Sequence, residues 1–405
     1  MQAEVFALTF SAIQGKRGKN IITAVSAVFL IIGLLLTLLG AALLIKEVTY
    51  NADVFVGVDI GYGDEKDVYI IADAISGYAN LIILGSLNVT TNTAKLTRVC
   101  DYLYQKGFHF IVYVGFAEQG YTPPRGPDPQ FFTRAASKWG DKFLGVYLFD
   151  EVGGKLTDGA HSIDITAADN YSEAATIYTH HLNFYLGNVT QYYEPANFTL
   201  FTSDYALYWY GYLSGYDVVF GEFVGNQSRQ LTVALCRGAA KALDKNWGIM
   251  ITWAYQQEPF LEDAGQLFLD MVLAYENGAK YVVVFNSPGE FPATTEFGTL
   301  MPEHFEAIKM FWNYVSTAPK VDRYPSGTAY VLPRDYGYGF RGPQDKIWGY
   351  WEADVLSSAV WNDTLNLLAM TRLDLDVVYE TKIGDAPIEL PYDKLIFWNG
   401  TTIQK

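Results

Sequence analysis

Apolar runs of five to nine residues, rich in Val, Ile, Phe and Tyr, recur from Val54 to Asn286 with helix-like stretches between them. They read VFVGVD (ending at Asp59), LIILG (81–85), FHFIVYVG (108–115), FLGVYLFDE (ending at Asp150 and Glu151), FTLFTSD (ending at Asp204), DVVFGE (ending at Glu222), IMITWAY (249–255) and YVVVFN (ending at Asn286). A strand that reads as a continuous apolar run is buried on both faces, the condition of a parallel sheet covered by crossover helices. Eight such units predict a closed (β/α)8 barrel, the TIM barrel, spanning residues 50–318. Polar residues gathered at the strand ends then mark the active face.

The intervening stretches carry helix signals. Asp128-Pro129 offers a cap and a first-turn proline before FFTRAASKW, which Gly140 closes. Helices are likewise expected over 91–106, 263–277 and 303–315, and LYWYGYLSGY (207–216) is a short helix or an irregular crossover. Beyond Pro325, AYVLP (329–333), a helical stretch from Ser357 to Met370, LDVVYE (375–380) and KLIFWNG (394–400) predict a small α/β accessory domain over 325–405, partially Rossmann-like. The segment GYGFRGPQDKIWGYW (337–351) reads as a loop packing against the barrel, structurally or over its mouth.

Ahead of the barrel, Ile21 to Ile45 is a stretch of 25 residues without a charge. At about 1.5 Å per residue it crosses a hydrocarbon core of roughly 30 Å, so a transmembrane helix over 21–45 is expected. Gly40-Ala41-Ala42 offers a cleavage site, but the apolar run exceeds a signal peptide's core of about 7–15 residues, favouring an uncleaved signal-anchor. Lys16, Arg17 and Lys19 precede the span, which places residues 1–20 in the cytoplasm as a short tail and the rest outside the cell membrane. Seven Asn-x-Ser/Thr sequons, at Asn88, Asn170, Asn188, Asn197, Asn226, Asn362 and Asn399, all follow the span and predict an extracellular glycoprotein. Cys100 and Cys236 fall in helices on opposite sides of the barrel, so no disulfide is expected.

With Glu4, Lys16, Arg17 and Lys19 set aside, the outer part carries 25 basic and 43 acidic residues. That balance repels nucleic acid and anionic headgroups and tolerates neutral sugars. The abundance of aromatics, including 30 Tyr and nine Trp, suits stacking on sugar rings or packing in a cell-surface layer. The expected partners are a carbohydrate or glycan and, through the N-terminal helix, the lipid bilayer; oligomeric state is open. The five histidines are scattered and no phosphate loop or serine elbow occurs, so no metal or cofactor is expected.

Carboxylates from different strands converge in such a barrel, as glycoside cleavage requires: one protonates the leaving oxygen and another attacks carbon or activates water. The catalytic candidates are Glu151 as acid/base, Glu222 as nucleophile or base, and Asp59 as their partner. Asp150, Tyr62, Trp253, Tyr255, Gln256 and Asn286 are candidates for substrate binding. Alternatively, such carboxylates cap helices or form salt bridges. The barrel is then a catalytically inactive glycan-binding or structural surface glycoprotein.

GVYLFDEVGG (145–154) resembles the strand-four motif of (β/α)8 glycoside hydrolases, and MITWAYQQEP (250–259) an aromatic strand-seven end of the same superfamily. Residues 325–405 resemble the truncated glutamine-amidotransferase-like domain appended to some of these enzymes, and the anchor with dense sequons resembles archaeal surface proteins. The resemblance implies cleavage of glycosidic bonds. The largest retaining clan places its nucleophile glutamate at the end of strand seven, where this chain has Trp253 and Tyr255.

Overall fold

In the computed structural model, the described residues run from Val54 to Lys405, apart from 118–120, 161–162, 194–197, 289–294, 323, 381, 384–385 and 388. The proposed tail (1–20) and transmembrane helix (21–45) lie outside them. Among the described residues no helix is long and apolar enough to cross a membrane.

Eight parallel strands close the barrel: β1 (Phe55–Ile60), β2 (Leu81–Leu84), β3 (His109–Ala117), β4 (Phe143–Asp150), β5 (Thr199–Asp204), β6 (Val218–Phe223), β7 (Asn246–Ile251) and β8 (Tyr281–Asn286). Each pairs with its sequence neighbours, and β8 pairs with β1 through Phe55↔Tyr281 to complete the ring. A short strand, Tyr121–Arg125, turns back antiparallel on β3 and was not foreshadowed by the strand rhythm. Alternate side chains fill the interior, where Phe201 and Phe220 stack with centroids 5.9 Å apart and Tyr281 meets both edge-on. Gly248 makes room for them: a Cβ there would sit 2.7 Å from that of Tyr281.

The outer helices follow the sequence signals closely. α1 is Glu65–Ile75 and α2 is Thr93–Gln105, the latter capped by Asn92. In α3 (Phe131–Trp139), Asp128 is not the cap residue; its carboxylate accepts from Gln130 N in a turn just ahead of the helix. α4 is the six-residue helix Val152–Thr157, and α5 (Tyr171–Tyr192) is the longest described, with Ala174, Tyr178, Leu182, Leu186 and Val189 on its buried face. The fifth crossover is indeed a short helix, α6 (Tyr208–Leu213), followed around the barrel by α7 (Arg229–Ala242), α8 (Ala264–Glu276, capped by Asp263) and α9 (Pro302–Thr317). Cys100 and Cys236 are buried and free.

The C-terminal region is a small mixed sheet. β9 (Thr328–Leu332) lies between β10 (Asp376–Tyr379) and β11 (Lys394–Phe397), both parallel to it, and β12 (Thr402–Gln404) adds an antiparallel edge. One helix, α10 (Ser357–Thr371), crosses from β9 to β10. Segment 337–351 packs on the barrel: buried Trp348 lies 4.5 Å from Tyr210 of α6 and 5.7 Å from Tyr178 of α5, centroid to centroid.

A buried ion pair fastens this sheet to the barrel. Arg237 of α7, without solvent exposure, donates to Asp376 Oδ1 at 2.7 Å, Asn277 Oδ1 at 2.6 Å and the carbonyls of Leu373 and Leu375 at 2.7 and 3.1 Å. Tyr392 donates to the other Asp376 oxygen at 2.9 Å. Both charges are thus fully hydrogen-bonded, and removing one would strand the other in a dry seam. Arg237→Met is expected to destabilise the chain by about 3–5 kcal/mol in urea unfolding followed by tryptophan fluorescence; an unchanged midpoint would mean that the seam is open to water.

Candidate functional site

The C-terminal strand ends carry the site, and β4 is distorted to build it. Its pairing with β5 slips between Tyr147 and Asp150. Phe149 and Glu151, on either side of Asp150, both adopt left-handed backbone with φ of 55°. Such geometry is unfavourable for side-chain-bearing residues and persists only where neighbours impose it. Here Thr202 Oγ1 donates to the Phe149 carbonyl at 2.9 Å and Glu151 N to the Ser203 carbonyl at 3.0 Å. Asp204 adds a clamp, its carboxylate accepting from the amides of Gly153, Gly154, Tyr205 and Ala206 at 2.6–3.1 Å. Burial pushes the Asp204 carboxyl up to about 7 although these amides pull it down.

The distortion brings Asp150 over a hydroxyl network. Tyr147 Oη lies 2.7 Å from Asp150 Oδ1 and 2.8 Å from Ser203 Oγ. Ser203 Oγ in turn lies 3.2 Å from Asp150 Oδ1 and 2.5 Å from Glu222 Oε1. The side chain of Asp150 is 45% exposed and faces Lys155 Nζ at 3.5 Å, whereas Glu222 is buried with its second oxygen lacking a hydrogen-bond partner. Burial, reinforced by Glu151 and Asp150, holds the Glu222 carboxyl well above the usual carboxylate range. Ser203 Oγ donates to Glu222 Oε1 and Tyr147 Oη to Asp150 Oδ1, which links both carboxyls in one network.

Asp59 is the second buried acid. It is 4% exposed, its Oδ1 lacks a partner, and burial followed by the charge of Asp150 raises its pKa well above normal. Space above it exists because Gly85 has no side chain; a Cβ there would lie 2.7 Å from Asp59 Oδ1. Asp59 and Asp150 both line a cavity of about 590 Å3 walled by Tyr62, Tyr113, Tyr147 and Phe285, with Asn88 at its exposed edge. Burial pushes the Tyr113 hydroxyl up to about 12, so the tyrosine walls stay neutral.

The structure therefore brings together Asp59, Asp150 and Tyr62, with Glu222 behind them. Glu151 is not among the cavity-lining residues; its carboxylate pairs with Lys155 at 3.2 Å on the rim. Trp253 packs against Phe285, centroids 5.1 Å apart, while Tyr255 and Gln256 lie on the exposed loop after β7 and outside the cavity lining. Asn286 is fully buried, and its Oδ1 accepts from Thr299 N and Oγ1 and from Leu300 N, an arrangement that pins the following loop. Sequence reasoning passed over Tyr147, Ser203, Tyr113 and Lys155. Tyr147, Tyr113 and Ser203 carried a signal, each falling on the inward phase of a barrel strand. Among the described residues no three His, Cys, Asp or Glu side chains cluster as a metal site would require.

The fold recurs in solved glycoside hydrolases. GH5_18 of Streptomyces cattleya, solved with GlcNAc, superposes with a TM-score of 0.50 at 12% identity, covering 81% of this chain and 93% of that one. The beta-galactosidases of the Antarctic haloarchaeon Halorubrum lacusprofundi and of Bacillus circulans sp. alkalophilus give 0.51 and 0.50 at 10% and 9% identity, each covering 85% of this chain and 69% and 67% of their own. No family model and no curated protein sequence matches the chain. At such identities the likeness establishes the fold, an eight-stranded parallel barrel shared with carbohydrate-processing enzymes.

The buried acids make stability depend on pH in a defined direction. Asp59, Glu222 and Asp204 keep protons in the folded state that the unfolded chain releases near pH 4, so their contribution is fully present below that pH and is lost as pH rises through the folded values, about 7 for Asp204. Glu222→Gln mimics the protonated acid. It is expected to flatten the decline in unfolding free energy between pH 5 and 8 and to be more stable than wild type at pH 8. Parallel pH profiles for the two chains would show that Glu222 is ionised in the fold.

Proposed function

We propose that the chain cleaves glycosidic bonds at the cavity, with Asp59 donating a proton to the leaving oxygen and Asp150 attacking the sugar or activating water. The supporting observation is the placement of a buried acid, held in its protonated form, and a solvent-facing carboxylate on one tyrosine-walled cavity. A glycosidic oxygen leaves poorly until it is protonated, so the acid must keep its proton at working pH while its counterpart is charged. In this reading Asp59 takes the acid role that the sequence suggested for Glu151, and Glu151 holds Lys155 beside Asp150. Glu222 stores a proton behind Asp150, reached through Ser203. Tyr62 and Phe285 offer faces to the sugar ring.

A catalytically silent glycan-binding or structural barrel is the second reading, and the end of β7 favours it. Trp253 occupies the region where the retaining hydrolases it resembles keep a nucleophile, and its ring packs on Phe260 and Phe285.

In both readings we place the protein at the cell membrane, anchored by residues 21–45, with its N-terminus cytoplasmic and residues 50–405 outside. Glycans on that side are consistent with the exposure of Asn88, Asn170, Asn226, Asn362 and Asn399; Asn188 is half-buried, and Asn197 lies outside the described residues.

A panel of aryl glycosides and defined oligosaccharides tests the catalytic assignment. Wild type is expected to hydrolyse at least one member, and Asp59→Asn and Asp150→Asn to lower kcat by roughly 10²–10⁴-fold with intact folding. Binding of a panel member without turnover by wild type would favour the silent barrel.

A further inference from the structure

A second cavity, of about 430 Å3, opens where the small domain meets the barrel, within the roughly 300–1,000 Å3 range of small-ligand sites. The loops after β5 and β6 contribute Tyr205, Asn226 and Gln227, and the small domain contributes Phe340, Arg341 and Trp361. We propose that this cavity is a carbohydrate subsite that takes an uncharged sugar ring between the aromatic side chains and the amides of Asn226 and Gln227.

Three features carry the assignment. Aromatic faces pack against the C–H surface of a sugar, while the planar amides of Asn226 and Gln227 meet its hydroxyls. Arg341 is already committed: Nη2 meets Asp345 at 3.0 Å and donates to the Thr157 carbonyl at 2.5 Å, and Asp158 pairs with Nη1. Its charge is balanced by these carboxylates, so the site suits a neutral ligand and offers little to a phosphate. The cavity also adjoins the catalytic rim. Tyr205 packs on Gly154, where a Cβ would come within 2.2 Å of its ring, and its hydroxyl donates to Asp158 at 2.6 Å. Tyr205 thus lies along α4, the short helix that Glu151 begins.

A sugar chain crossing α4 would place linked units in both cavities, which gives segment 337–351 a role in recognition beside its packing. That extension to a substrate chain rests on the hydrolase reading; sugar binding itself does not. The same chemistry has a second source, a glycan on Asn226, which lines the cavity within the sequon Asn226-Gln227-Ser228.

The test uses the full-length chain carrying Asp150→Asn, with cellotetraose, mannotetraose and chitotetraose, each fluorescently tagged, as probes in polarisation titrations. At least one probe is expected to bind, and Trp361→Ala to weaken it roughly tenfold or more, the effect of losing a central aromatic anchor. Leu365→Trp, which fills the cavity and leaves Trp361 in place, is expected to do the same, and thermal unfolding identifies any variant that has lost its fold. Equal affinity in Asn226→Gln assigns the cavity to free chains, and tighter binding in Asn226→Gln assigns it to the protein's own glycan. A bound probe indifferent to both cavity variants, or no binding even to Asn226→Gln, overturns the subsite. Hydrolysis by the chain with native Asp150 at a KM unchanged by Trp361→Ala overturns the subsite and leaves the hydrolase standing, whereas Trp361-dependent binding without hydrolysis does the reverse.

Discussion

A carboxylic acid sealed inside a barrel wall must either stay protonated or find a cation, and Glu222 has no cation among its described contacts. Its hydrogen-bond partner among the described residues is Ser203, at 2.5 Å, and its other oxygen is buried without one. Much of the site's geometry follows from that constraint. Ser203 meets both Glu222 and Asp150 where the β4–β5 register shifts, and Phe149 and Glu151 on either side of Asp150 adopt left-handed backbone. The strain, of order 1–3 kcal/mol per residue, persists because Thr202, Ser203 and the Asp204 clamp hold the two strand ends together. Asp150 is half exposed while Asp59 and Glu222 stay buried, and burial raises the pKa of both buried acids.

The aromatic interior gives this arrangement a floor. Tyr147 is both the lid of the Phe220 stack, at 6.5 Å between centroids, and the hydroxyl that touches Asp150 and Ser203. Side chains packed at this density have few alternative rotamers, so the network inherits the rigidity of the barrel core. The small mixed sheet is fixed from another side through Arg237 and Asp376, and Arg341 ties it to the end of α4. An appended domain bonded to both α7 and α4 moves with the barrel and presents its aromatic side chains at a fixed distance from the catalytic rim.

The strand rhythm was legible because burial on both faces demands continuous apolar runs; eight strands follow it, the seventh shifted to Asn246–Ile251 from the expected 249–255. The helix expected over 263–277 was legible for a local reason, since it starts at Asp263, which caps it, and capping needs only the next few amides. The 22-residue α5 keeps a helical period despite its Tyr, His and Asn content, its buried positions repeating every three to four residues. Asp59, Asp150, Glu151 and Glu222 were legible as strand-end acids, but their separation into cavity, rim and interior was not. That separation depends on two left-handed residues and on Ser203. Asn286 shows the same ambiguity: an amide at a strand end serves a ligand or the next loop equally well, and here it pins Thr299 and Leu300.

The account stands on where the protons are. A neutron structure of deuterium-exchanged protein at neutral pH would locate them directly. It should show a deuteron on the carboxyl of Asp59 and another on that of Glu222. Bare carboxylates at both Asp59 and Glu222 would contradict the account, leaving the cavity without an acid able to protonate a leaving group.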